Sequence, residues 1–263
     1  MTTRRWTIRT LWVGDSLSTI ERLALASFVY HQHDVELYTY NEVKGVPDGV
    51  TVRDANRILD GSLIFTYKSR PSYAAFANWF RYRLLHEHGG IWIDTDVVCL
   101  KPFEFSGPLI AGREEYGRVN CAVLGGEPGH PLFAALAQQC ENPNDFLPYD
   151  TPKQKRRKVF RRYLQGNQRG NLKWGETGPG GLTSAMQHTG LFDIALPVTA
   201  FYPVHSRCWD TIFDLTYPDP AKFFPESYAI HLWNEMIRRN PDYGKDKTYE
   251  HGSLIEALKR QYL

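Results

Sequence analysis

Gly89-Gly90 divides two runs of opposite periodicity, and this junction constrains the fold more than any other feature of the sequence. Before it, Ser72 to His88 carries Tyr73, Phe76, Ala77, Phe80 and Leu84 at the spacing of one helical face, and the glycine pair supplies a left-handed stop. After it, Ile91-Trp92-Ile93 is wholly apolar and runs directly into Asp94-Thr95-Asp96. The spacing predicts a helix over 72–88 and a strand over 91–94. The N-terminal forty residues repeat the alternation. Trp6 to Val13 reads as a strand closed by Gly14-Asp15, and Ser18 followed by Glu21 has the form of a capped helix start. Ile20, Leu23, Ala24 and Phe28 carry that helix to about His31, and Asp34 to Tyr40 reads as the next strand. Strand, helix and strand in this order predict an α/β fold with a mostly parallel central sheet flanked by helices. Such sheets place nucleotide sites at the carboxyl ends of their strands.

Asp94 and Asp96 stand at such an end. Side chains two residues apart in an extended chain point the same way, so the two carboxylates repel unless a cation lies between them. Mn²⁺ or Mg²⁺ answers that need, because such ions are held by one or two carboxylates together with substrate phosphates. Asn78 and Arg81, three apart, share a helix face that ends near the pair. Two roles are open to Arg81: a partner for the carboxylates and a diphosphate, or a cover over Tyr73 and Leu85 paired with Glu87.

Farther along, 107–112 and 118–125 read as strands and 131–140 as a helix. The stretch 142–171 is polar and basic and reads as an insertion over the sheet. Tyr228 to Trp233 is a late apolar strand, and Leu254, Ile255, Leu258 and Tyr262 mark a closing helix. One domain over 1–263 is expected. A formal charge of +2 is too mild for a nucleic-acid binder. Cys99, Cys121, Cys140 and Cys208 form no C-x-x-C pair, so neither a zinc site nor a disulfide framework is suggested and a reducing compartment is the natural setting. Met1 to Trp6 is polar and basic, and no run of about 18 apolar residues occurs, so a cytoplasmic protein is expected.

The run Asn78-Trp79-Phe80-Arg81 through Gly89-Gly90-Ile91-Trp92-Ile93-Asp94-Thr95-Asp96 resembles the signature of glycosyltransferases of the DXD sugar-binding family, whose members include α-1,4-galactosyltransferases, initiating mannosyltransferases and bacterial capsule enzymes. More distantly it resembles the clostridial glucosylating toxins. Glu176 to Thr183 is similar to that family's Thr-Gly-Pro segment, and Ala229-Ile230-His231-Leu232-Trp233-Asn234 to the closing His-x-Trp segment of the α-1,4 branch. The resemblance implies a GT-A fold, Mn²⁺ or Mg²⁺, and retaining transfer of a hexose or N-acetylhexosamine from a UDP-sugar (a GDP-sugar in second place) to a glycan or glycolipid hydroxyl. Carried over by position, Asp94, Asp96 and Arg81 are the catalytic residues. Trp12, Tyr73, Asn78, Arg81, Asp94, Gly178 and Trp233 face the nucleotide-sugar, and Asp94, Asp96, His231 and Asn234 face the metal. One departure stands out: Ala77-Asn78 occupies the place of the family's Ser-Asp.

Two other functions fit parts of the sequence. Ile91 to Val98 satisfies the first motif of haloacid-dehalogenase-type phosphatases, with Asp210 to Asp214 as the later carboxylate pair. A non-catalytic sugar-nucleotide-binding domain fits the loss of charge at Asn78. The basic run Lys153, Lys155, Arg156, Arg157, Lys158, Arg161 and Arg162 also has two readings, a solvated helix face or a dock for anionic lipid or a charged glycan.

Overall fold

The computed structural model describes residues 4–263, so Met1–Thr3 of the basic N-terminal segment lie outside it. The first half forms β1 (Arg4–Arg5), β2 (Ile8–Trp12), α1 (Thr19–Tyr30), β3 (Val35–Thr39), β4 (Val50–Asp54), α2 (Ala74–His88), β5 (Gly90–Ile93), β6 (Val97–Cys99) and β7 (Glu104–Phe105). The second half forms β8 (Leu109–Arg113), β9 (Val119–Gly126), α3 (Pro131–Glu141), α4 (Pro152–Leu164), α5 (Pro179–His188), α6 (Pro220–Phe223), β10 (Ala229–His231), α7 (Asn234–Arg239) and α8 (Leu254–Tyr262).

The main sheet has six strands in the order β4-β3-β2-β5-β9-β8. β4, β3, β2 and β5 run parallel, while β9 pairs antiparallel with both β5 and β8. Aliphatic and aromatic residues of α2, α3 and α5 fill one face, including Phe80, Phe133 and Met186. Phe28 of α1, Phe103 and Phe201 fill the other. β5 lies inside the sheet with every residue buried, which is why its sequence is apolar without alternation.

α2 departs from the single apolar face read in the sequence. Asn78, Arg81 and Tyr82 are buried along with Phe76, Trp79, Phe80, Leu84 and Leu85, whereas Tyr73 is the N-cap residue and is exposed. The helix is enclosed on most sides, so its apolar residues wrap around the axis. Glu21, the capping residue of α1, is fully buried as well. Its carboxylate accepts from the Ser18 N–H at 2.9 Å and from the Asn234 side chain at 3.0 Å, and it pairs with Lys245. The helix start is thereby tied to the C-terminal segment.

Gly89 has φ 61° and ψ −150°, a conformation essentially reserved for glycine. A Cβ there would lie 2.8 Å from the Gly126 carbonyl oxygen and 2.7 Å from the Pro128 backbone nitrogen. Gly89→Ala is therefore expected to lose about 1–3 kcal/mol from conformation alone, and more from the backbone clash. Urea unfolding measures this; an unchanged midpoint would show that the turn tolerates a side chain.

The C-terminal segment returns to the start of the site. β10 pairs antiparallel with β6, setting His231 opposite Val97. The four cysteines are free, and three of them are buried. No helix among the described residues is long and apolar enough to cross a membrane.

Candidate active site

Asp94 and Asp96 converge by a turn, not by the extended geometry expected from their spacing. β5 ends at Ile93, and the Val97 N–H closes a turn on the Asp94 carbonyl at 3.1 Å. Each carboxylate is then held by its own partners. Asp94 Oδ1 accepts from Arg81 Nη2 at 2.5 Å and from Trp92 Nε1 at 2.8 Å. Asp96 Oδ2 accepts the Asn234 N–H at 2.7 Å and lies 3.3 Å from His231 Nε2. Asp94, Asp96 and His231 each offer a ligand atom, all within 4.8 Å of one another.

The electrostatics follow from burial. Asp96 is 6% exposed and His231 8%. Burial works against the charge on Asp96, but His231 and the Asn234 N–H outweigh it and hold the carboxyl below its ordinary range. Burial likewise works against a charged His231, and Asp96 outweighs it, so the imidazole is raised. Arg81 is 2% exposed, and Asp94 keeps its guanidinium charged against the cost of burial. Its Nη1 donates to Asn78 Oδ1 at 2.6 Å, and its plane lies over the Trp92 ring at 4.7 Å. The role alternative to carboxylate pairing is not taken, because Glu87 pairs with Arg83 instead.

The cluster opens into a cleft of about 1030 Å³. Pockets for drug-sized ligands run to about 300–1,000 Å³, so there is room for a nucleotide with a group attached. Trp12, Tyr73, Asn78, Arg81, Asp94, Asp96, His231, Trp233 and Asn234 all line it. Gly178 stands one step behind the wall, where a Cβ would come 3.0 Å from Asn78 Nδ2. Trp233 takes a left-handed conformation, φ 56°, and anchors Nε1 on the Val204 carbonyl at 2.9 Å. That turn is what aims the Asn234 N–H at Asp96. Two buried polar atoms at this corner, His231 Nδ1 and Asn234 Oδ1, have no hydrogen-bond partner among the described residues. Two carboxylates and an imidazole form a donor set that suits Mn²⁺ or Mg²⁺.

Residues 22–115 match the family described as glycosyltransferase sugar-binding region containing DXD motif, and residues 160–262 match the α-1,4-glycosyltransferase conserved region. The first match contains Arg81, Asp94 and Asp96, and the second contains His231 and Asn234, so the two meet across the cleft. Both regions resemble those of DXD-containing glycosyltransferases. It is 23% identical over 230 residues to the human α-1,4-N-acetylglucosaminyltransferase, covering 80% of this chain and 58% of that one. It is 24% identical over 195 residues to the rat lactosylceramide 4-α-galactosyltransferase, covering 70% and 43%. The chain thus spans about half the length of the curated relatives it matches. The ligand-free glycosyltransferase domain of the YGT toxin superposes with a TM-score of 0.54 at 10% identity, covering 85% and 86% of the two chains. The fold is of the GT-A type.

These matches give the phosphatase reading no support. Asp210 and Asp214 are exposed, one within a short 3₁₀ helix over Ser206–Phe213 and the other just beyond it, and neither lines the cleft. Two residues of the cleft carried no signal in the sequence. Glu114, at the end of β8, accepts from Asn120 Nδ2 at 2.6 Å, and Asn120 Oδ1 in turn accepts the Ala122 N–H at 2.8 Å. Burial raises the Glu114 carboxyl above its ordinary range. Neither residue sits in a motif, and only the antiparallel turn from β8 to β9 brings them beside His231.

Proposed function

We propose that the chain, as a single domain over 1–263, is a retaining transferase. It moves a hexose or N-acetylhexosamine from a UDP-sugar to a hydroxyl of a glycan or glycolipid. The observation that carries the reading is the convergence of Asp94, Asp96 and His231, with Arg81 behind them, in one cleft. Asp94, Asp96 and His231 would hold a divalent cation, with Asn234 Oδ1 beside them. That ion would supply positive charge to the diphosphate as the sugar leaves. The chain's own residues set up the rest. Arg81 holds Asp94 in place and contributes fixed positive charge on the same side of the cleft, where departing phosphate accumulates negative charge. Trp12 and Trp233 line the cleft, and an indole there suits stacking on a base. Asn78, bonded to Arg81, brings a neutral amide where the family pattern has a carboxylate, which bears on the choice of donor sugar. The names of the relatives favour N-acetylglucosamine and galactose as first donors to try.

The test is nucleotide release from a panel of UDP- and GDP-sugars with Mn²⁺, with and without glycan acceptors. Release of UDP is expected, with sugar appearing on the acceptor. Binding of UDP-sugars without any release would identify a binding domain, and indifference to every nucleotide-sugar would overturn the reading altogether.

A further inference from the structure

Helix α4 is inside out. Its inward side is cationic: Lys158 donates to Asp150 Oδ2 at 2.7 Å, and Arg161 grips Glu176 through two bonds of 2.6 and 2.8 Å, joined by Arg157 at 3.2 Å. Lys158 is 3% exposed and Arg161 1%. Its outward side is apolar: Val159 is 42% exposed, Phe160 50%, Tyr163 74% and Leu164 73%. Val159 and Tyr163, and Phe160 and Leu164, each fall four apart, so the four form one stripe. Phe146 extends it at 53% exposure, near the side chains of Lys155 and Arg162. A surface helix ordinarily buries such residues and exposes its charges. This reversal uses buried ion pairs to hold an apolar stripe in solvent, and contiguous exposed apolar surface marks a contact site.

The charges around the stripe identify what it contacts. Lys153, Lys155 and Arg156 are exposed and have no ion-pair partner among the described residues, while Arg162 is engaged by Asp145 at 2.6 Å. Aromatic and aliphatic residues flanked by free cations match an anionic bilayer, where rings settle at headgroup depth and each basic residue adds electrostatic attraction.

We propose that α4 is a peripheral docking element for an anionic lipid surface, with Phe160 and Tyr163 as the inserted residues. Lys153, Gln154 and Arg157 of the same helix line the cleft, so docking sets the cleft mouth beside the bilayer. A lipid-linked acceptor is the corollary, and that corollary alone rests on the transferase reading.

Co-sedimentation of the full chain with vesicles tests the docking without donor or metal. Binding is expected to vesicles of phosphatidylcholine with phosphatidylserine, to weaken as salt is raised, and to be lost on phosphatidylcholine alone. The pair Phe160→Ser with Tyr163→Ser is expected to weaken binding tenfold or more at an unchanged melting temperature, and Lys155→Glu with Arg156→Glu to do the same. Failure of the unaltered chain to bind, or equal binding by the variants, overturns the proposal. So does a dimer in sedimentation velocity that Phe160→Ser dissociates while vesicles bind nothing, because the stripe then belongs to a second copy.

Discussion

Asp96→Asn is expected to give a folded chain with at least about a thousandfold less turnover of nucleotide-sugar, or about 4 kcal/mol in the barrier. The asparagine oxygen can still accept the Asn234 N–H, which bonds Asp96 at 2.7 Å, so the C-terminal turn keeps its anchor. What disappears is the negative charge at the centre of the site. His231 loses the anion that offsets the effect of burial on its imidazole, and a cation loses one of its two carboxylates. Removing a single group that stabilises developing charge typically costs about 10²–10³ in rate, and here a charge and a ligand go together. Asp96→Ala is the poorer experiment. It strands a buried imidazole and an N–H without partners, and breaking a buried pair costs about 3–5 kcal/mol, so lost activity and lost fold become indistinguishable. Chelation of the unaltered chain should reproduce the Asp96→Asn loss and should be reversed by Mn²⁺. Wild-type turnover by Asp96→Asn in chelator would remove the metal from the account.

The parts of this molecule legible in the sequence are those written in short-range pattern. The Gly-Gly stop, the strand into Asp94 and the capped start of α1 all depend on residues within a few positions of one another. The route by which the carboxylates converge was not legible, because an extended pair and a tight turn share the spelling Asp-x-Asp. Nor was the partnership of Asp96 with the Asn234 N–H, which spans 138 residues and depends on β10 returning beside β6. Residue-by-residue resemblance reached His231 and Asn234 where periodicity had nothing to say. It placed Asn234 beside the metal residues, and the backbone nitrogen of Asn234 bonds Asp96. The basic run shows the opposite failure. Seven cations within ten residues suggest a solvated face, but Lys158 and Arg161 are interior because Asp150 and Glu176 lie beneath them. Composition cannot tell a charge in water from one paired in the interior. The insertion over 142–171 thereby becomes part of the cleft wall, since its ion pairs end on Glu176, in the segment that also supplies Thr177 to Asn78 at 3.4 Å.

Arg81→Ala should be strongly destabilising. The guanidinium is 2% exposed, bonded to Asn78 and Asp94, and stacked over Trp92, so truncation opens a void and leaves both partners unmatched. Asp94 keeps about a third of its side-chain surface in solvent and can rehydrate, which limits the electrostatic part of the loss. A cost of about 3 kcal/mol, near the low end for breaking a buried pair, is expected in urea unfolding. Arg81→Lys separates the two roles of the residue. It restores the charge and much of the volume, so about half the lost stability should return. An ammonium is a point donor, however, and cannot span Asn78 and Asp94 as the planar fork does. Asp94 then loses its fixed orientation, and kcat is expected to stay at least a hundredfold down while the fold recovers. A purely structural Arg81 would behave differently, with activity returning in step with stability in Arg81→Lys. If kcat and melting temperature recover together, Arg81 belongs to the core, and positive charge beside the leaving phosphate must come from elsewhere in the cleft.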